Sequence, residues 1–396
     1  MSINVGVGLS TSKDPIHAAQ EALQQAKIRF SHEKPDLILV FATINLSTPV
    51  ILKTIRLSIP EIPIMGASSA AVIYDESSYN NGLIIMLLGF PEGIYFNNTL
   101  VTDVKNKTPI IAGEELGDKL LYGFKNIRRD LSLIFCDGLI DNTQELVNGM
   151  QEKLGRSFPL VGACASDNLK FTRTNILYND EVLSDAACAT IWGGKISFGL
   201  GIKHGWKALG KQHLVTKSYG NIIYEIDSQP AAYLYEEYLG CDIKKLQSEL
   251  RFISVLYPIG IYLPGEEEFL LRNIRSIEDD GALILQGSIP ENSQIRLMIG
   301  TKESCLEATN QAIDDVNKGL AGKLPNFVFV FDSISRSMLL RREAKKELEI
   351  IKKQFGPEIP VVGLYTYGEQ APLTAVNYQG KAYLHNQTVT LLAIGG

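Results

Sequence analysis

Three pairs of segments decide how this chain is read: "PDLILVFATI" (35–44) with "EIPIMGASSA" (61–70), "RDLSLIFCDG" (129–138) with "SFPLVGACAS" (157–166), and "PNFVFVFDSI" (325–334) with "EIPVVGLYTYGE" (358–369). They are one pattern written three times. An apolar run of strand length carries a phenylalanine, Phe41, Phe135 or Phe331. An amphipathic stretch follows, then a second apolar strand that starts after a proline and stops at Gly66, Gly162 or Gly363. In the third copy Leu340, Ala344, Leu348, Ile351 and Phe355 fall on one helical face.

The repeat extends both ways. Asp14-Pro15-Ile16 and Thr108-Pro109-Ile110 each open a helix, and each proline lies 26 positions before its phenylalanine. Thr301 caps the matching helix of the third copy. "GLIIMLLG", "DAACATIWGG" and "QTVTLLAIGG" close the copies with another apolar strand. "NVGVGL" and "QIRLMIG" are expected to supply the opening strands of copies one and three. A unit of strand, helix, strand, helix, strand and strand, repeated, predicts an α/β protein with sheets covered by helices. Residues 196–290 break the repeat: their alternating apolar and polar residues, with frequent glycine, predict an inserted antiparallel segment. A boundary near residue 205 separates residues 1–205, with two units, from residues 206–396, with the insert and the third unit.

Bulk properties narrow the function. The chain has 396 residues, 45% of them hydrophobic, and a net charge of −6. That charge argues against nucleic acid as a partner. No apolar run approaches the length of a membrane span, and the N-terminus lacks a basic region followed by an apolar core, so a cytosolic protein without membrane attachment is expected. Five cysteines with no C-x-x-C spacing argue against a disulfide framework or a thiolate zinc site.

In open α/β sheets ligands gather at the carboxyl ends of strands. There the third copy places Tyr365, Thr366, Tyr367 and Glu369; Arg336 lies on the loop after the preceding strand, and Asn386 before the last one. A carboxylate, hydroxyls and a guanidinium suit the two ends of a small polar ligand. The same set suits a buried hydrogen-bond network joining the units. A rival reading is a hydrolase-like enzyme with a nucleophile at Ser68, Ser69, Cys164 or Ser166. None of these lies in a G-x-S-x-G elbow, and no phosphate loop, dinucleotide fingerprint or H-E-x-x-H is present. A protein without enzyme activity is the expectation.

Together, "GIKHGWKALGKQHLVTKSYGNIIYEIDSQPAAYLYEEYLG", "FLLRNIRSIEDDGALILQGSIPENSQIRLMIG" and "VVGLYTYGEQAP…LHNQTVTLL" resemble the C-terminal half of FIST-domain proteins, and "VGVGLSTSKDPIHAAQEAL…PDLILVFAT…PIMGASSAAVI" the N-terminal half. The resemblance implies a sensory module of bacterial-type signal transduction that binds a small ligand, with amino acids the proposed class. With no length left for an output domain, it implies action on a separate histidine kinase or cyclase. It also admits haem as a cofactor and nitric oxide as the signal, as in some stand-alone members. His204, with Trp206 beside it, is then the candidate iron ligand. The sequence departs from the family at "DSISRS", where Ser333 stands at the position of a common cysteine and Arg336 is kept.

Overall fold

The computed structural model describes residues 3–266, 268–373 and 380–395. Among these residues it is a mixed α/β protein with three six-stranded sheets and one eight-stranded antiparallel sheet. Each repeat supplies four strands of one six-stranded sheet. In the first, Leu37–Thr43 and Ile64–Ser69 run parallel, Leu83–Gly89 returns antiparallel, and Asn4–Ser10 opens the unit beside it. The second repeats this with Arg129–Cys136, Leu160–Cys164, Ala186–Gly193 and Tyr95–Thr102.

The third unit corrects one expectation. Its opening strand is Ser197–Lys203, paired with Val389–Gly395, whereas Gln294–Ile299 belongs to the eight-stranded sheet. The insert therefore sits inside the third unit, between its first strand and its first helix, Lys302–Leu320. The helices start where the sequence signals place them. Asp14 accepts the amide of His17 at 2.7 Å, and Thr301 forms a capping box with Ser304. The helical stretch of the third unit is broken into Ile334–Leu340 and Ala344–Phe355, with a short turn at Arg341–Glu343 and a positive φ of 54° at Arg341.

Gly66, Gly162 and Gly363 lie within strands instead of ending them. A Cβ on them would meet the carbonyl oxygen of Val40, Ile134 or Val330 on the parallel neighbour, at 1.8, 2.0 and 1.8 Å. Close backbone approach, not a turn, demands the glycine. The strands run on to Ser69, Cys164 and Thr366, so the sheet edge lies a few residues later than the sequence suggests.

Past those ends the units exchange hairpins. Val72–Tyr74 of the first unit pairs with Val361–Thr366 of the third. Ile176–Tyr178 of the second pairs with Ile64–Ser69 of the first. Gly368–Pro372 of the third pairs with Leu160–Cys164 of the second. The exchange closes a ring of three, and the inner sheet faces share one apolar core. The repeated phenylalanines meet there: Phe41 and Phe135 are 5.3 Å apart, and Phe135 and Phe331 5.9 Å. Helices cover the outer faces with separate apolar layers. Among the described residues no helix is long and apolar enough to cross a membrane.

Candidate functional site

A cavity of about 500 Å³ opens at the carboxyl ends of the third unit's parallel strands, where Ser333 and Thr366 are register partners. These two residues and Tyr367 line its floor and one wall. The helix Ile334–Leu340 contributes Ile334, Ser335 and Met338. The insert closes it from the far side with the helix Ile243–Leu256 and with Asn273, Arg275 and Gln286. The second unit supplies Gly138, Leu139, Leu169 and Phe171.

Asp167 builds the second unit's wall. Its carboxylate accepts the amides of Lys170, Phe171, Thr172 and Arg173 at 2.9–3.2 Å, together with the hydroxyl of Tyr367. These bonds hold Leu169 and Phe171 at positive φ, 58° and 51°, a conformation L side chains rarely adopt. Phe171 thereby stacks on Tyr367, with ring centroids 4.4 Å apart and planes 15° apart. Burial opposes ionisation of Asp167, but the hydrogen bonds from Tyr367 and the loop amides outweigh it and hold the carboxyl below its ordinary range. The opposite holds for Tyr367, where burial and then Asp167 push the phenol above its ordinary value.

The proposed ligand set is divided by the fold. Thr366 and Tyr367 line the cavity. Tyr365 packs instead into the apolar layer between the third sheet and its helices. Glu369 lies fully buried behind Thr366, accepting from the Thr366 hydroxyl and from the Thr388 hydroxyl at 2.6 Å. Asn386 is fully buried, and its Oδ1 accepts the amide of Asn273 at 3.2 Å. Arg336 is fully buried, away from the cavity lining: it donates to His204 O at 2.5 Å, Cys305 O at 3.0 Å and the Glu347 carboxylate, with Asp332 at 3.2 Å. Burial and then the Glu347 charge drive Asp332 well above the usual carboxylate range.

Burial lifts Glu369 to about 8, against the hydrogen bonds of Thr366 and Thr388. The folded protein therefore keeps this proton to higher pH than the unfolded chain does. Stability from this group is complete below the ordinary carboxylate pKa and is lost as pH rises toward about 8. Glu369→Gln is expected to fold and to flatten the pH dependence in that window, by a few kcal/mol at its upper end. Denaturation midpoints of the two proteins across the window check this; parallel profiles would contradict it.

The residues singled out for haem do not fit it. His204 is 6% exposed, and its Nδ1 accepts the amide of Trp206 at 2.9 Å, which puts the neutral ring's proton on Nε2. Nε2 lies 3.5 Å from the Glu268 carboxylate and in that tautomer has no lone pair for iron. Trp206 is a core residue whose Nε1 donates to Val255 O at 2.9 Å. Among the described residues no group of three or more His, Cys, Asp and Glu side chains is placed to hold a metal ion.

The candidate nucleophiles occupy the junction of the exchanged hairpins. Ser69 donates to Tyr365 O at 2.8 Å, Ser166 to the same carbonyl, and Ser68 to Ser166 O at 3.2 Å. All three serines are fully buried. Cys164 lies beside Cys136, with sulfurs 3.4 Å apart, under the amide of Gln370.

The fold is a ring of three α/β units with a ligand-sized cavity where two of them meet an insert. The chain belongs to the FIST family: the FIST N domain matches residues 36–229 and the FIST C domain residues 231–372. FIST domains are sensory, ligand-binding domains of signal transduction. An uncharacterised protein of Methanocaldococcus jannaschii is 24% identical over 68% of this chain, which spans about half (54%) of that relative's length. An uncharacterised protein of Mycobacterium tuberculosis is 20% identical over 95% of this chain and 96% of its own. Among solved structures, a cyanuric acid hydrolase is similar at a TM-score of 0.31 and 9% identity, over 100% of both chains.

Proposed function

We propose that this protein is a small-molecule sensor that acts by binding, not by turnover, and that its ligand occupies the cavity at Ser333, Thr366 and Tyr367. The observation that carries this is the position of the helix Ile334–Leu340. One side of it, Ile334, Ser335 and Met338, lines the cavity. Another, Arg336, is locked into the buried Asp332–Glu347 cluster. A ligand touching the first side shifts the equilibrium of the second only as far as it prefers one arrangement. The output is read by a separate signalling partner, a histidine kinase or a cyclase, that meets this region. Haem has no part in this reading, because His204 offers iron no lone pair.

The test is a thermal-shift screen of small organic anions, zwitterions and cations, repeated on Met338→Trp, which fills the cavity. Compounds that raise the melting temperature of the wild-type protein and not of the variant are expected. Equal shifts in both proteins would remove the cavity as the site.

A further inference from the structure

The charges around the cavity are one-sided. Among the described residues no aspartate or glutamate lines it, whereas two arginines, Arg251 and Arg275, do. Arg275 is held by Asp141 at 3.2 Å, with both side chains about half exposed or more. Arg251 has no carboxylate partner among the described residues, and its helix carries it to the exposed rim. Carboxyls that bond lining residues are already engaged: Asp141 with Arg275, Asp279 with Gln247 at 3.2 Å, Asp167 with Phe171 and Tyr367, and Glu369 with Thr366. An ammonium group entering this space would lose water and find no carboxylate among the described lining residues, which disfavours it. An anion would meet a free guanidinium with a planar fork of donors.

The walls are flat and apolar. Phe171 is 41% exposed although its ring stacks on Tyr367, so part of it is left uncovered at the cavity. Leu139, Leu169 and Met338 extend this surface. At the floor the Ser333 side chain makes no hydrogen bond among the described residues, leaving one small donor and acceptor for a polar substituent. About 500 Å³ lies within the range of small-ligand sites.

We infer that the ligand is an organic anion without an ammonium group: a small aromatic carboxylate whose ring lies along Phe171 and whose carboxylate meets Arg251. This rests on the sensor reading above and narrows it, and it sets aside the amino-acid class that the sequence resemblance implies. An amino acid has the carboxylate but brings an ammonium group for which the described lining offers no carboxylate.

Three ligands of one shape separate the charges: phenylpropanoate, phenylalanine and phenylpropylamine, titrated calorimetrically into the wild-type protein and Arg251→Gln. Phenylpropanoate is expected to bind at least about tenfold tighter than phenylalanine, with the amine weakest, and Arg251→Gln to erase at least about tenfold of its affinity. Phenylalanine or the amine binding as tightly as the carboxylate would overturn the inference. So would an unchanged affinity in Arg251→Gln. Should all three fail while other screened compounds still bind in a Met338-dependent way, the anion inference falls and the sensor reading stands. Should no compound of any charge depend on Met338, both fall.

Discussion

Arg336→Ala is expected to lower stability by about 3–5 kcal/mol, a large share of what an ordinary domain has. The guanidinium is fully buried between two fully buried carboxylates, Asp332 and Glu347, and also ties down two backbone carbonyls, those of His204 and Cys305. Removing it leaves the Glu347 carboxyl buried without its guanidinium partner, accepting from Thr309. Asp332 is already biased to its neutral form by burial and by Glu347, so most of the penalty falls on Glu347. A second variant isolates that cause. Arg336→Leu with Glu347→Leu removes both charges together and is expected to recover much of the loss, since well-packed apolar pairs commonly replace buried ion pairs without penalty. Denaturant midpoints decide it. If the single and double variants are equally unstable, lost packing and carbonyl contacts, not the stranded charge, explain the effect.

Asp167→Ala is expected to leave the three-unit frame folded and dismantle one cavity wall. The four loop amides and the Tyr367 hydroxyl lose their common acceptor, at a cost of about 2 kcal/mol or more. With the loop released, Leu169 and Phe171 have nothing to hold them at positive φ, and the Phe171–Tyr367 stack comes apart. Ligand affinity is expected to fall at least about tenfold, as the flat wall is lost. Amide hydrogen exchange at residues 170–173 should accelerate while the core strands stay protected. Unchanged protection there would show that the loop holds itself. Because the Asp167 carboxyl is held below its ordinary range, its stabilising share is present above the unfolded pKa and disappears as pH falls through the folded one.

The frame was legible because its signals are local and written three times. The proline-led helix starts and the Phe-bearing strands need no tertiary information. What stayed hidden is pairing between distant segments. Nothing local in Val72–Tyr74 says that it leaves its own sheet for that of the third unit. Nor does Ser197–Lys203 show that it opens a unit whose helix begins about a hundred residues later. The glycines were found but misread, since a close approach by a neighbouring strand and a turn call for the same residue. At the site, strand alternation separates Tyr365 from Thr366, and that follows from knowing where the strand ends. Asp167 carries no signal that the sequence reading singled out, and its link to Tyr367 spans 200 positions. The helix Ile243–Leu256 carries its own signals, an Asp242 cap and Leu246, Leu250 and Ile253 on one face, and went unread inside a segment dominated by strand patterns. Phe171 carries no local signal at all.

The most direct test of the central claim places a chemical reporter on the cavity lining. Ser333→Cys places a thiol there; Ser333 is buried, as are the five native cysteines, so a reagent reaches position 333 through the cavity. Iodoacetamide is expected to reach Cys at 333 through the cavity, read by mass at that position, and a compound that raised the melting temperature in the screen to slow that labelling at least about tenfold at saturation. A compound that stabilises the protein yet leaves the labelling rate unchanged would place its site elsewhere and contradict the account.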